Sequence, residues 1–190
     1  MSEEDRERWN ARYRAGHGPR GLPDPEVVRW VGTVPPGGRA LDVAAGTGRH
    51  ALWLAERGWI VDAVDVSEVA LSELGREAEA RGVPDRIHII WADLDDWSPP
   101  PGRYRLVVMA FFVDRPLLDR LDLALKPGGF LFCRSFLEHS PLLAHNPGHA
   151  WRPGELGERF AHWRILHLHE SAKTALVTLW AQKPPAESGR

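Results

Sequence analysis

The chain has 190 residues, with 24 Lys and Arg against 26 Asp and Glu for a formal charge of -2, and one cysteine. That length suits a single domain with a buried core, and the charge balance leaves no basic excess to hold a nucleic-acid backbone, so nucleic acid is excluded from the expected partners. The opening MSEEDRERWNARYRAG is charged where a signal peptide is apolar, and no apolar run approaches the roughly 20 residues of a membrane span, so a cytoplasmic protein with no membrane partner is expected.

Residues 3–15 read as a helix, acidic at its start (Glu3, Glu4, Asp5) and basic at its end (Arg12, Arg14) as the helix dipole favours, with Trp9 and Tyr13 on one face. Asp24-Pro25 supplies a cap and a first-turn proline for a short helix EVVRWV, which Gly32 and Pro35-Pro36-Gly37-Gly38 end. From Arg39 strand-like and helical runs alternate: RALDVA, HALWLAERG, WIVDAVDVS, a helix from Glu68 to Arg81 capped by Ser67, then RIHIIWAD. RLVVMAF is a further strand. Asp114-Arg115-Pro116 opens the helix LLDRLDLAL, and Lys126-Pro127-Gly128-Gly129 stops it before the strand FLFCRSF, where Cys133 reads as a small buried side chain. An irregular stretch from Glu138 to Trp151 reads as a mobile cover, followed by a short helix near Pro153 to Phe160. WRILHLHE and TALVTLWAQ then form a hairpin around Ser171-Ala172-Lys173. The alternation predicts an α/β fold with a mostly parallel sheet. The expected organisation is a helical lead-in over residues 1–38, a main domain over 39–183 and a disordered tail over 184–190.

The first strand runs into Leu41-Asp42-Val43-Ala44-Ala45-Gly46-Thr47-Gly48 and a helix follows at once. Gly46 and Gly48 permit a tight turn and close approach of a ligand to the backbone, and the amides at the helix start favour a carboxylate or phosphate. Gly46-x-Gly48-x-x-Ala51 also satisfies the dinucleotide fingerprint, and Asp65, 19 residues on, suits the ribose of NAD as well as any other. Asp42 adds an acid inside the strand, placed for the ammonium of an amino acid. Asp93 is read as ending the third strand, within reach of an adenine amino group, with Val66 and Leu94 sandwiching the ring. Asp65 itself, at the open sheet edge, is expected to have no buried partner in the ligand-free protein.

On LDVAAGTGRH, VDAVDVS, WADL and the KPGG turn before FLFCRSF, the chain resembles the class I S-adenosylmethionine (SAM)-dependent methyltransferases. GTGRHALWLAERGW and Trp9-x-x-x-Tyr13 resemble the tellurite-resistance and small-molecule branch of that class. The resemblance implies a single-domain, Rossmann-like, seven-stranded sheet with one antiparallel strand and helices on both faces, and a lead-in helix over the cofactor pocket. It implies SAM as cofactor, with Trp9, Asp42, Ala44, Gly46, Gly48, Asp65, Val66, Asp93, Leu94 and Ala110 around it. Ala44 stands where the family has its first motif glycine.

Tyr13, Phe112, Arg115, Arg134, His139 and Arg152 are the candidates for a substrate pocket, and a cationic rim there implies a negatively charged small-molecule acceptor. Tyr13 and His139 are the reserve candidates for a general base. A thiol, amine or oxyanion acceptor is expected, since the residues suggest no dedicated base. An NAD-dependent oxidoreductase and a SAM-binding protein without turnover are the alternatives. The histidine pairs His167/His169 and His145/His149 lack a completing carboxylate or thiolate, so no metal is expected.

Overall fold

A computed structural model describes residues 3–16, 21–143 and 149–186. Where the sequence reads one continuous domain over residues 39–183, the chain clusters into two compact units, Met1–Ser98 and Pro99–Arg190. The strands of each half bond chiefly to strands close by in sequence, which concentrates contacts within the halves.

The first unit contains α1 (Glu3–Arg14), α2 (Pro25–Val31), β1 (Arg39–Val43), α3 (Arg49–Glu56), β2 (Ile60–Asp65), α4 (Glu68–Ala80), a 3-10 turn at Pro84–Arg86 and β3 (Ile87–Trp91). Its strands lie in the order β3-β2-β1, all parallel, with Asp42 level with Ala63 and Asp65 level with Trp91. β1 and β2 are buried along nearly their whole length, as strands covered on both faces must be, which is why they read as continuous apolar runs. The helix starts follow their caps. The Asp24 carboxylate accepts from Glu26 N at 2.8 Å, and Ser67 Oγ accepts from Ala70 N at 3.2 Å. Three buried acids interrupt the apolar pattern, Asp42, Asp62 and Asp65; Asp62 in β2 pairs with Arg39 of β1 and lies 3.8 Å from His88 Nδ1 of β3, a row of polar groups across three strands.

The second unit contains β4 (Tyr104–Ala110), α5 (Arg115–Ala124), β5 (Leu125–Phe136), a 3-10 turn at Pro141–Leu143, α6 (Glu155–Arg159), β6 (Arg164–Ser171) and β7 (Leu176–Gln182). Its order is β4-β5-β7-β6, with β4 and β5 parallel and β7 antiparallel to both its neighbours. The chain thus has the seven-stranded mixed sheet, with one antiparallel strand, that the family resemblance implies. The KPGG stretch differs from its reading as a helix stop ahead of the strand. Leu125 already pairs with Tyr104, the next pairing is Leu106 with Phe130, and Lys126–Gly129 bulges out between them. Gly128 N donates to Lys183 O at 3.1 Å and Lys183 N to Gly129 O at 2.8 Å, so the bulge is satisfied by the chain beyond β7. Cys133 is fully buried in β5, where burial pushes its thiol up to about 12, and it is chemically quiet there.

The Glu138-to-Trp151 stretch is closed at its base: Glu138 N donates to Trp151 O at 3.0 Å and Trp151 N to Phe136 O at 2.9 Å. Residues 144–148, the middle of the expected cover, and 187–190, most of the expected tail, lie outside the described residues, as does His145. Among the described residues, no helix is long and apolar enough to cross a membrane, and no group of three His, Cys, Asp or Glu could hold a metal ion.

Candidate cofactor site

The turn after β1 is the centre of the site. Ala44, Gly46 and Gly48 all have left-handed backbone, with φ of 54°, 57° and 80°. A Cβ on Gly46 would sit 2.5 Å from the Tyr13 hydroxyl, and one on Gly48 would overlap Leu74 Cδ1, so both positions need glycine for space as well as for φ. Ala44 needs only the φ. Left-handed alanine costs about 1–2 kcal/mol, and glycine returns part of the gain as chain entropy. Ala44→Gly is therefore expected to raise stability by about 0.5–1 kcal/mol, read as a rise of a few degrees in Tm by thermal unfolding. An unchanged or lower Tm would show that Ala44 carries no strain.

Asp65 at the end of β2 is tied to this turn. Its Oδ2 accepts from Gly46 N and its Oδ1 from Ser67 N, both at 2.8 Å. Burial raises its pKa, and the amides of Ser67, Gly46 and Val66 oppose the rise. The expectation that Asp65 has no buried partner in the ligand-free protein is therefore wrong. A carboxylate at a strand end meets the amides of the next turn before it meets any ligand.

Asp42, placed in the sequence for an ammonium group, is bonded here to its own loop. It is 1% exposed, and its Oδ2 accepts from Ala51 N at 3.0 Å, so the first turn of α3 is satisfied by the protein's own acid. Burial raises its pKa to about 7. His50, equally buried, accepts from Asp24 N through Nε2 at 3.3 Å and sets Nδ1 3.9 Å from Asp42 Oδ1. Burial and the Arg49 charge push its pKa down to about 3, so it is neutral, and the bond at Nε2 puts its proton on Nδ1. His50 thus joins the start of α2 to the start of α3, a link the sequence does not announce.

Asp93 lies two residues beyond β3 instead of ending it. Its side chain accepts from Asp95 N at 2.9 Å and its carbonyl from Trp97 N at 2.8 Å, so it closes a turn. Val66 is buried, and Leu94 is fully buried at 0% exposure, with no face open for a ring to stack on. Trp91, 56% exposed at the end of β3, donates its indole N–H to Val66 O at 2.9 Å and places an aromatic ring next to this edge. An apolar-to-aromatic strand end gave no signal for that.

Trp9 is half-buried on α1, with its ring centroid 6.0 Å from that of Tyr13 and the Arg12 guanidinium 5.0 Å from its centre. Tyr13 is buried against Gly46, so it belongs with the turn. Asn10, fully buried between them, holds α1 to the start of α4: its Oδ1 accepts from Ser67 Oγ at 2.7 Å and its Nδ2 donates to Glu68 Oε2 at 3.3 Å. Sequence reading passes over Asn10. The available signal was a poor helix former three residues before Tyr13, on the same face.

The second unit holds the remaining candidates. Ala110 ends β4, and Phe111 follows with φ 60°, an unusual conformation for a bulky residue, held by its N–H donating to Arg134 O at 2.6 Å. Phe112 is half-buried and His139 exposed. Arg115 is no open rim cation. It grips Glu155 at 2.5 and 2.7 Å, donates to Ala150 O at 3.0 Å and lies 5.0 Å over the Trp151 ring. Burial alone would raise the pKa of Glu155, but the Arg115 hydrogen bond, the Arg152 amide and both charges hold it low. Arg152 approaches the same carboxylate at 3.6 Å, and Arg134 donates to Thr178 Oγ1. The proposed cationic rim is thus largely spent on internal partners, because a buried acid and hydroxyl claim those guanidiniums first.

A parallel half-sheet whose first turn is left-handed glycine bonded to the acid ending the second strand is the cofactor half of a class I SAM-dependent methyltransferase fold. Residues 40–129, a little under half of the chain, match the family model described as Methyltransferase domain. Over 114 residues it is 34% identical to the tRNA 5-carboxymethoxyuridine methyltransferase of Escherichia coli (strain K12), covering 57% of this chain and 43% of that one. The match spans less than half the length of that relative. A structure from work on converting a disulfide bond into a thioacetal group during echinomycin biosynthesis superposes with a TM-score of 0.74 at 24% identity, covering 97% of this chain and 94% of the other. TehB from Haemophilus influenzae gives 0.74 at 18% identity, covering 90% and 66%. These two likenesses are of fold. With a tRNA methyltransferase among the similar proteins, the comparisons give no ground for excluding nucleic acid, and that expectation rests on charge alone.

Proposed function

We propose that the protein transfers the methyl group of SAM to a small-molecule acceptor of thiol, amine or oxyanion type. The observation that carries the reading is Asp65, fixed at the carboxyl end of β2 by Gly46 N and Ser67 N, beside the left-handed glycine turn. A carboxylate has about four acceptor sites, so capacity remains there for ribose hydroxyls. SAM supplies an activated methyl group when bound, and the protein's task is to hold donor and acceptor in line and exclude water. The Gly46 turn and Asp65 orient the cofactor, with Tyr13 packed over the turn. No dedicated base is needed for an acceptor that arrives deprotonated, which fits the spent state of Arg115 and Glu155 and the exposed position of His139. The net charge of -2 favours a small acceptor over a polyanion.

Calorimetry with SAM, S-adenosylhomocysteine (SAH) and NAD tests the cofactor. Micromolar SAM and SAH binding with weaker or no NAD binding is expected, and tighter NAD binding would overturn the reading. SAH release is then followed with thiols, amines and oxyanions, and with bulk tRNA. Turnover with tRNA and none with the small acceptors would refute the acceptor class, and binding without any turnover would leave a SAM-binding protein.

A further inference from the structure

We propose that Asn10 is a positioning residue that couples the docking of helix α1 to occupation of the cofactor site at Asp65. The inference rests on the reading that Asp65 binds the cofactor ribose.

α1 is twelve residues long, eight of them charged, and its buried residues are Asn10 and Tyr13 alone. A helix of that length is marginal by itself and depends on its docking contacts. Both contacts lie on the site. Tyr13 covers Gly46, the residue whose amide Asp65 holds. Asn10 reaches the other oxygen of Asp65 through one residue: Ser67 N donates to Asp65 Oδ1, while Ser67 Oγ donates to Asn10 Oδ1. Val69 N approaches the same carboxamide oxygen at 3.4 Å, and Glu68 Oε2 accepts from its nitrogen, so the first turn of α4 is gathered on one side chain. A ligand bonded to Asp65 fixes the carboxylate, and with it Ser67 and Gly46, the two groups against which α1 docks. Fixing them favours the docked helix, and by reciprocity the docked helix favours the ligand. A buried carboxamide with three partners on one turn is more specific than packing requires, since an apolar residue would fill the same space.

The test is SAH titration combined with hydrogen exchange of the full chain. In the unmodified protein SAH should slow exchange across residues 3–14. In Asn10→Ala, SAH affinity should fall about 5- to 150-fold, the usual range for coupled sites, and α1 should exchange equally fast with and without SAH while β1 and β2 are still protected by it. Asn10→Asp combined with Glu68→Gln reverses donor and acceptor across the same contact and should restore both affinity and SAH-dependent protection of α1. Wild-type affinity and wild-type α1 protection in Asn10→Ala would overturn the proposal. So would faster exchange throughout β2 and α4 in ligand-free Asn10→Ala without rescue by the double variant, which marks a purely structural role. Failure of the unmodified protein to bind SAH would instead overturn the cofactor reading, and this inference with it.

Discussion

Asp65→Ala is expected to lose cofactor affinity and stability together. Charge-assisted hydrogen bonds to ribose hydroxyls are worth roughly 1.5–3 kcal/mol, so SAM and SAH should bind on the order of 10- to 150-fold more weakly. The same substitution strands Gly46 N and Ser67 N, two amides that the carboxylate now satisfies in a buried setting. Each stranded amide costs about 1–3 kcal/mol, offset in part because burial disfavours the charge that is removed. Net destabilisation of about 1–3 kcal/mol follows, read by urea unfolding in the absence of ligand. Asp65→Asn separates the two effects. One amide oxygen still accepts a backbone N–H, so stability should recover in part while affinity stays low. Wild-type affinity in a destabilised Asp65→Ala protein would remove Asp65 from the cofactor site.

Asp42→Asn is expected to act in the opposite direction and to be most visible above neutral pH. Burial raises the Asp42 pKa from 3.8 to about 7 in the folded protein. Between those values the folded state binds a proton that the unfolded state has released, so this group makes stability fall as pH rises from about 4 to about 7. Above 7 the group is ionised in both states and the whole cost of the buried charge is present. Three pKa units correspond to about 4 kcal/mol, an upper bound. Asparagine keeps an oxygen for Ala51 N and carries no charge, so Asp42→Asn should gain on the order of 2–4 kcal/mol at pH 8 and almost nothing at pH 4. Thermal unfolding of both proteins from pH 4 to 8 measures the difference. Parallel curves would mean that Asp42 ionises normally in the folded protein. SAM affinity at pH 8 should be nearly unchanged in this variant if the contacts of Asp42 are to the loop alone; a large loss would establish the ammonium role.

The amino-acid sequence by itself determined the elements and the class. Long parallel strands buried on both faces read as apolar runs, the caps Asp24, Ser67 and Asp114 mark helix starts by local bonds, and Gly46 and Gly48 are required by the conformation of one turn. All of these are short-range effects, set within a few residues, and they suffice for the sequence of elements and, with the family resemblance, for the fold class. What only the tertiary structure decided is where each polar group spends its hydrogen bonds. Asp42 and Asp65 look alike in sequence, an acid at or near a strand end, yet one closes the start of α3 and the other bridges the glycine turn to Ser67. Arg115 reads as a rim cation until Glu155, forty residues on, takes it. Asn10 shows no role until α4 is brought against it, 57 residues away at Ser67. Such pairings depend on which groups are buried together, and burial forces each to find a partner at whatever sequence distance the fold supplies one.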